Sequence, residues 1–288
     1  MKTLILYAFH QYNAEVEIFL KRGLIQNENY TFIMVSNGDE NLNEYIHYIN
    51  KYNNVYVFER RNIGYDFGGW NDALFLPIKS LNQKIIKNDP DDIINQSDHL
   101  YKYYDKFICL NSSVSGPYLA KYNKDDWITL FTCKLSYKVK LTGISLNYKC
   151  TLHGGHELLK NYYSIDTYDF SHIQSMAFSF DRQALDIFIN YKLFQEAKVF
   201  PADKLVLIAV CEVGMSTILL HEGYSLFSYM IDQGIYSKTE KDPNIIIEND
   251  RWNEKFQGVK NPFLLETMFV KINRGMSFPE KGFYDSLQ

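Results

Sequence analysis

Apolar runs and polar breaks alternate along the N-terminal part of the chain with the spacing of buried strands and amphipathic helices. Thr3 to Phe9 is a near-continuous apolar run, the pattern of a strand covered on both faces. His10 to Asn13 is a polar loop, and Ala14 to Gly23 carries Val16, Ile18, Phe19 and Leu20 at helical spacing. Tyr30 to Ser36 predicts a second strand ending in Asn37-Gly38-Asp39. Asn41 then caps a helix with Tyr45, Ile46, Tyr48 and Ile49 on its apolar side. Val55 to Phe58 predicts a third strand. The order β-α-β-α-β with short, buried strands is the first half of a doubly wound sheet.

Farther along, Asp72 opens a helical pattern that runs to Tyr104, broken by Pro77 and by Asn88 to Asp92. Asp89, Asp91 and Asp92 suit an exposed loop better than a cation site, because no glycine or further ligand pattern follows. Phe107 to Leu110 predicts a buried strand with Asn111-Ser112-Ser113 at its carboxyl end and a Gly116-Pro117 turn beyond. Trp127 to Phe131 predicts a helix, and Val139 to Leu146 another strand. Ser171 to Asp181 alternates polar and apolar positions like a half-buried strand and leads into a helix over Arg182 to Tyr191. Asp203 to Leu220 predicts a long amphipathic helix, and His221 to Phe227 a helix stop and a last short strand. Beyond Ile231 the periodicity is lost, and Trp252-Asn253 and Asn261-Pro262 suggest a tail wrapped over the domain. The expected organisation is one α/β domain over residues 1–230 and a C-terminal extension, 231–288, packed on it.

Composition narrows the function classes. An apolar fraction of 46% with 22% charged residues is that of a folded globular chain and excludes general disorder. A formal charge of −4 without a basic run argues against a nucleic-acid partner. No stretch reads as a signal peptide or as the roughly 20 apolar residues of a membrane span. Cys109, Cys133, Cys150 and Cys211 lie mostly in apolar runs, as reduced cysteines of a cytoplasmic protein would.

The chemistry concentrates in Arg60 to Leu74, where Gly64, Gly68 and Gly69 surround Asp66 between a strand and a helix start. Ligands of open α/β sheets bind at carboxyl ends of strands. Asp66 there would accept hydrogen bonds from a ribose or base, and Gly68 and Gly69 would let a ligand approach the backbone. Arg60 or Arg61 meets a diphosphate or forms a plain surface pair. His10-Gln11, Asn37 to Asp39, Asn62 to Asp66 and Asn111 to Ser113 all follow strands and fall on one edge of a parallel sheet. Each alone is also ordinary turn chemistry. Cys150, His153 and His156 are spaced by three without a convincing fourth ligand, so a loop at the mouth of the site is the expectation there, not zinc. Glu212 has the apolar neighbours Val210, Cys211, Val213 and Met215, and a partly desolvated carboxylate suits a general base, while a helix-surface Glu paired with lysine is the bland alternative. A Gly-x-Ser-x-Gly elbow, a Walker loop, a first-strand Gly-x-Gly-x-x-Gly and Cys-x-x-Cys are all missing, which disfavours nicotinamide dehydrogenases and P-loop enzymes.

Asn62 to Trp70, Leu110 to Pro117, His172 to Phe178 and Cys211 to Ser216 together resemble nucleotide-sugar glycosyltransferases of the A-type (GT-A) fold. More narrowly, they are similar to the rhamnan-synthesis and polysaccharide-biosynthesis relatives of bacteria and large DNA viruses. The resemblance implies a Rossmann-like, mostly parallel sheet flanked by helices, and sugar transfer from a nucleoside diphosphate sugar, UDP-linked, to a glycan or other hydroxyl acceptor. It implies nucleotide contacts from Ala8, Phe9 and His10, from Asn37 and Asp39, from Arg61, Asn62, Gly64 and Asp66, and from Asn111, Ser112 and Ser113. By the same resemblance Glu212 is the base of an inverting displacement, and His172, Gln174 and Ser175 shape a sugar pocket. Where the family has an acidic Asp-x-Asp for Mn²⁺ or Mg²⁺, this chain has Asn111-Ser112-Ser113, neutral and weak ligands. That departure leaves Asp66 as the candidate metal ligand. It also leaves two alternatives, basic side chains in place of the metal, or a catalytically weak or inactive nucleotide- or glycan-binding module.

Overall fold

The computed structural model describes residues 1–38, 44–87, 98–120, 122–148, 150–195, 203–230, 234–238 and 267–271. In chain order the first half comprises β1 (Thr3–Phe9), α1 (Ala14–Arg22), β2 (Tyr30–Asn37), α2 (Ile46–Ile49), β3 (Val55–Arg60), α3 (Tyr65–Leu74), β4 (Ile85–Lys87), β5 (Lys106–Asn111), β6 (Val114–Ser115) and α4 (Trp127–Thr132). There follow β7 (Val139–Gly143), β8 (Leu146–Asn147), α5 (Gly155–Tyr163), β9 (His172–Ile173), β10 (Ala177–Asp181), α6 (Arg182–Asn190), α7 (Lys204–His221), β11 (Ser225–Ser228), β12 (Gly234–Tyr236) and β13 (Val270–Lys271).

Among the described residues, nine strands form the central sheet, in the order β12-β11-β7-β10-β5-β1-β2-β3-β4. The run from β5 to β4 is parallel throughout, β10 is antiparallel to both its neighbours, and β11 lies parallel to β7. Helices cover both faces. On β1, Leu4, Leu6 and Ala8 point into a core with Phe67, Trp70 and Val210, while Ile5, Tyr7 and Phe9 pack with Phe19, Trp127 and Phe131 on the other side. Both sets of alternate positions are apolar because neither face of the strand meets water. The protein is therefore a mixed α/β fold with a large, mostly parallel central sheet flanked by helices.

Several elements differ from the sequence expectation. Helix α3 starts at Tyr65, well before Asp72, because Gly64 takes a left-handed φ of 74° and turns the chain straight into the helix. Gly68 and Gly69 thus lie within the helix and face protein. A Cβ on Gly68 would sit 2.0 Å from the Ile63 carbonyl oxygen, and one on Gly69 would sit 3.0 Å from Asn37 Oδ1. Their smallness lets α3 press against β2 and the preceding loop, not a ligand. The short edge strand β4 escapes a periodicity reading altogether. The stretch Val139 to Leu146 divides after Gly143, where a Cβ would meet Ile173 Cγ2 at 2.3 Å, and β8 turns away to pair with β9. Ser171 to Asp181 likewise divides into β9 and β10, and Ala177 to Phe180 are fully buried, so the strand is covered on both faces. The expected loop at Cys150 to His156 holds as far as Gly154, after which α5 begins, and His156 in the first turn of that helix stacks on Tyr168, 4.1 Å between ring centroids. β11 is not the last strand, since β12 and β13 follow. Asp39, Asn41, Asp89, Asp91, Asp92, Trp252, Asn253, Asn261 and Pro262 lie outside the described residues.

Helix α7 is, among the described residues, the one stretch long and apolar enough to cross a membrane, and 67% of that window is buried within the protein. Its hydrophobicity is that of a core helix.

Candidate functional site

A cavity of about 570 Å³ opens at the carboxyl ends of the parallel strands, within the range of small-molecule sites. β1 delivers His10, β2 delivers Asn37, the β3–α3 turn delivers Asn62, Gly64 and Asp66, and β5 delivers Asn111 and Ser113. The opposite wall is α7, with Lys204 and Glu212, and Ser175 closes one end between β9 and β10. Residues far apart in sequence meet here because parallel strands present all their carboxyl ends to one side.

Asp66 stands in the first turn of α3, where a carboxylate suits the helix dipole. Its Oδ2 accepts a hydrogen bond from Asn111 Nδ2 at 2.8 Å. The Asn111 oxygen accepts from the Ser113 backbone N–H at 3.1 Å and from its hydroxyl at 2.5 Å, so the amide is held with its nitrogen toward Asp66. Burial pushes the Asp66 carboxyl up to about 6 despite that hydrogen bond and the charges of Lys204 and Arg60. Nearby Glu212 acts in the same direction as burial.

Glu212 lies in a π-helical turn, Ile208–Val213, inside α7. Such turns are inserted into helices frequently at functional sites. The Tyr163 hydroxyl donates to the Val210 carbonyl within this turn at 2.9 Å, and Gly214 makes room for the same ring. The Ser175 N–H donates to Glu212 Oε1 at 3.0 Å, and His172 Nε2 lies 3.9 Å from the same oxygen. His172 Nδ1 meets the Phe170 carbonyl at 2.7 Å. A carbonyl only accepts, so Nδ1 carries the proton.

The remaining candidates divide. Ala8 and Phe9 are fully buried core residues, and Ser112 is half-buried with its N–H on the Ala8 carbonyl. His172 and Gln174 are buried behind the lining, with Ser145 donating to the Gln174 side-chain oxygen at 2.6 Å. Arg61 is exposed and outside the lining. Arg60 is turned inward. Its guanidinium donates to Asp72 at 2.9 Å, to Asn37 Oδ1 at 2.5 Å and to the Ile63 carbonyl at 2.7 Å, so it braces the loop and is not offered to a ligand. Lys204, Lys271 and Tyr65 also line the cavity without having been singled out in the sequence. Tyr65 carried a signal only in hindsight: it follows Gly64 and shares its left-handed backbone, with φ 52°.

The donor set around Asp66 does not fit a divalent cation. Its neighbours on the strand wall are an amide nitrogen and neutral oxygens already engaged with one another, where such ions take several anionic or free oxygens. Among the described residues no group of three His, Cys, Asp or Glu side chains could hold a metal ion.

No protein-family model and no curated protein matches the chain. Among solved structures it is similar to the apo bifunctional glycosyltransferase WbbM, at 12% identity and a TM-score of 0.38, over 88% of this chain and 47% of that one. The chain therefore spans about half the length of WbbM. It is also similar to the mannosyltransferase Ktr4p of S. cerevisiae, at 14% identity and a TM-score of 0.36, over 75% of this chain and 67% of that one. Both neighbours are glycosyltransferases.

Proposed function

We propose that the protein transfers a sugar from a nucleoside diphosphate sugar, UDP-linked, to a hydroxyl acceptor. The observation that carries this reading is that two carboxylates, from different elements, line one strand-end cavity. Asp66 lies on the strand side, in the setting of a nucleoside contact, and Glu212 lies on the helix side. Asp66, with Asn37, Asn62 and His10 nearby, offers acceptors and donors for a ribose and base. Glu212, steadied by the Ser175 N–H, takes the acceptor hydroxyl proton. As that proton moves to Glu212, the hydroxyl oxygen bonds to the sugar's anomeric carbon from the face opposite the phosphate. The anomeric C–O bond breaks, and its electron pair leaves with the nucleoside diphosphate, inverting the carbon. His172 is buried behind the lining, with its Nε2 3.9 Å from Glu212 Oε1 and beyond hydrogen-bond distance, and does not touch substrate.

Glu212→Gln keeps the Ser175 hydrogen bond and removes the base. The expected result is UDP binding within about twofold of wild type with donor hydrolysis and transfer reduced roughly 10²–10⁴-fold. Isothermal titration and released-UDP assays read the two separately. Unchanged turnover in Glu212→Gln would remove Glu212 as base. Glycan binding with no response to UDP, GDP or CMP would replace the transferase with a binding module on the same fold.

A further inference from the structure

We propose that Lys204 and Lys271 hold the diphosphate of the donor in place of a divalent cation, so that nucleotide binding at this site is metal-independent. The inference rests on the glycosyl-transfer reading above and specifies how its leaving group is recognised.

A nucleoside diphosphate brings concentrated negative charge into a partly enclosed cavity, and burying it requires opposite charge close by. Carboxylates could supply that charge only by recruiting a metal, and the strand wall is not built for one. The Asn111 amide is locked with its nitrogen, a donor, facing Asp66. That geometry turns a positive dipole toward the place where a bridging cation would sit.

Positive charge instead arrives from two other elements. Lys204 is the first residue of α7 after its Asp203 cap, exposed, lining the cavity, and close enough for its charge to act on Asp66. The amino end of an 18-residue helix is itself electropositive and adds to the positive charge that Lys204 brings there. Lys271 comes from β13, whose partner β6 directly follows Asn111-Ser112-Ser113. The register pairs Lys271 with Val114, which sets the lysine beside the neutral motif. The other charged or titratable groups on the lining are His10, Tyr65, Asp66 and Glu212. Lysines are mobile point charges, suited to following a diphosphate as its ester bond breaks.

The test is titration of the full chain with UDP against uridine, and GDP against guanosine, in EDTA and again with Mn²⁺ or Mg²⁺. The structure leads to diphosphate affinities that agree within about twofold with and without metal. Lys204→Gln and Lys271→Gln should each weaken the bound diphosphate on the order of tenfold, as loss of a charge-assisted contact does. Neither should move the affinity for the parent nucleoside. Binding that requires Mn²⁺, or a double variant with unchanged diphosphate affinity, overturns the inference and leaves the transferase reading standing. Failure of every nucleotide and nucleoside to bind overturns both.

Discussion

At the scale of single residues, Asp66 is the carboxylate of the cavity lining whose environment departs most from water. Burial is the main cause that pushes its carboxyl up from an ordinary 3.8 to about 6. Between about pH 4 and pH 6 the folded state therefore holds a proton that the unfolded chain has released. Stability falls as pH rises through that window and is level above it. Asp66→Asn removes the penalty. It should be more stable than wild type at pH 7.5 by on the order of 2 kcal/mol, a difference that closes below about pH 4. Urea denaturation at the two pH values checks this, and a variant no more stable at pH 7.5 would mean that the carboxylate is well solvated. The position of Asp66 at a strand-end cavity was legible in the sequence because a buried apolar run followed by clustered glycines marks the carboxyl end of a strand. Lys204 and Lys271 were not, because lysine is an ordinary surface residue and only the folded chain brings these two to one cavity.

Among elements, the β3–α3 corner shows how the site is braced. Arg60 and Asp72 are both about 1% exposed, and Arg60 also reaches Asn37 and Ile63. Removing one partner strands a buried charge. Asp72→Ala is expected to cost about 3–5 kcal/mol. Glu59→Ala, which breaks the exposed Lys87–Glu59 pair, should cost less than about 1 kcal/mol. Equal costs in denaturant titrations would show that the corner is not held by this pair. The strands β1, β2, β3 and β5 were legible because burial on both faces leaves unbroken apolar runs. β4 was not, since three residues at a sheet edge carry too little pattern. The start of α3 was misplaced because glycine is a poor helix former on propensity alone. Here close packing against Ile63 and Asn37 outweighs that propensity. The π turn around Glu212 leaves no trace in periodicity, because its one-residue offset is absorbed by a helix that is apolar nearly all round.

At the scale of the molecule, the cavity depends on chain that lies far beyond the parallel strands. β13 is held by β6 and by Phe269, whose ring meets Trp127 and Phe131 edge-on at 5.4 and 5.6 Å, beneath the opposite face of the sheet from α3 and α7. Tyr118 adds a hydrogen bond from its N–H to the Met268 carbonyl at 2.7 Å. The expectation of a tail packed on the domain carried no pairing with β6, because a two-residue strand and one aromatic anchor have no repeat to detect. The anchor couples packing to chemistry, since the same short segment carries Lys271 into the cavity. Phe269→Ala should destabilise the fold by about 3–5 kcal/mol, the usual cost of emptying a buried aromatic site. Phe269→Leu, a milder change that keeps the protein folded, should weaken diphosphate binding toward the level of Lys271→Gln while sparing the nucleoside. Paired titrations with UDP and uridine decide it. If Phe269→Leu lowers stability yet leaves the UDP-to-uridine ratio untouched, Lys271 is positioned by the β6 pairing alone. The aromatic anchor would then belong to folding and not to the site.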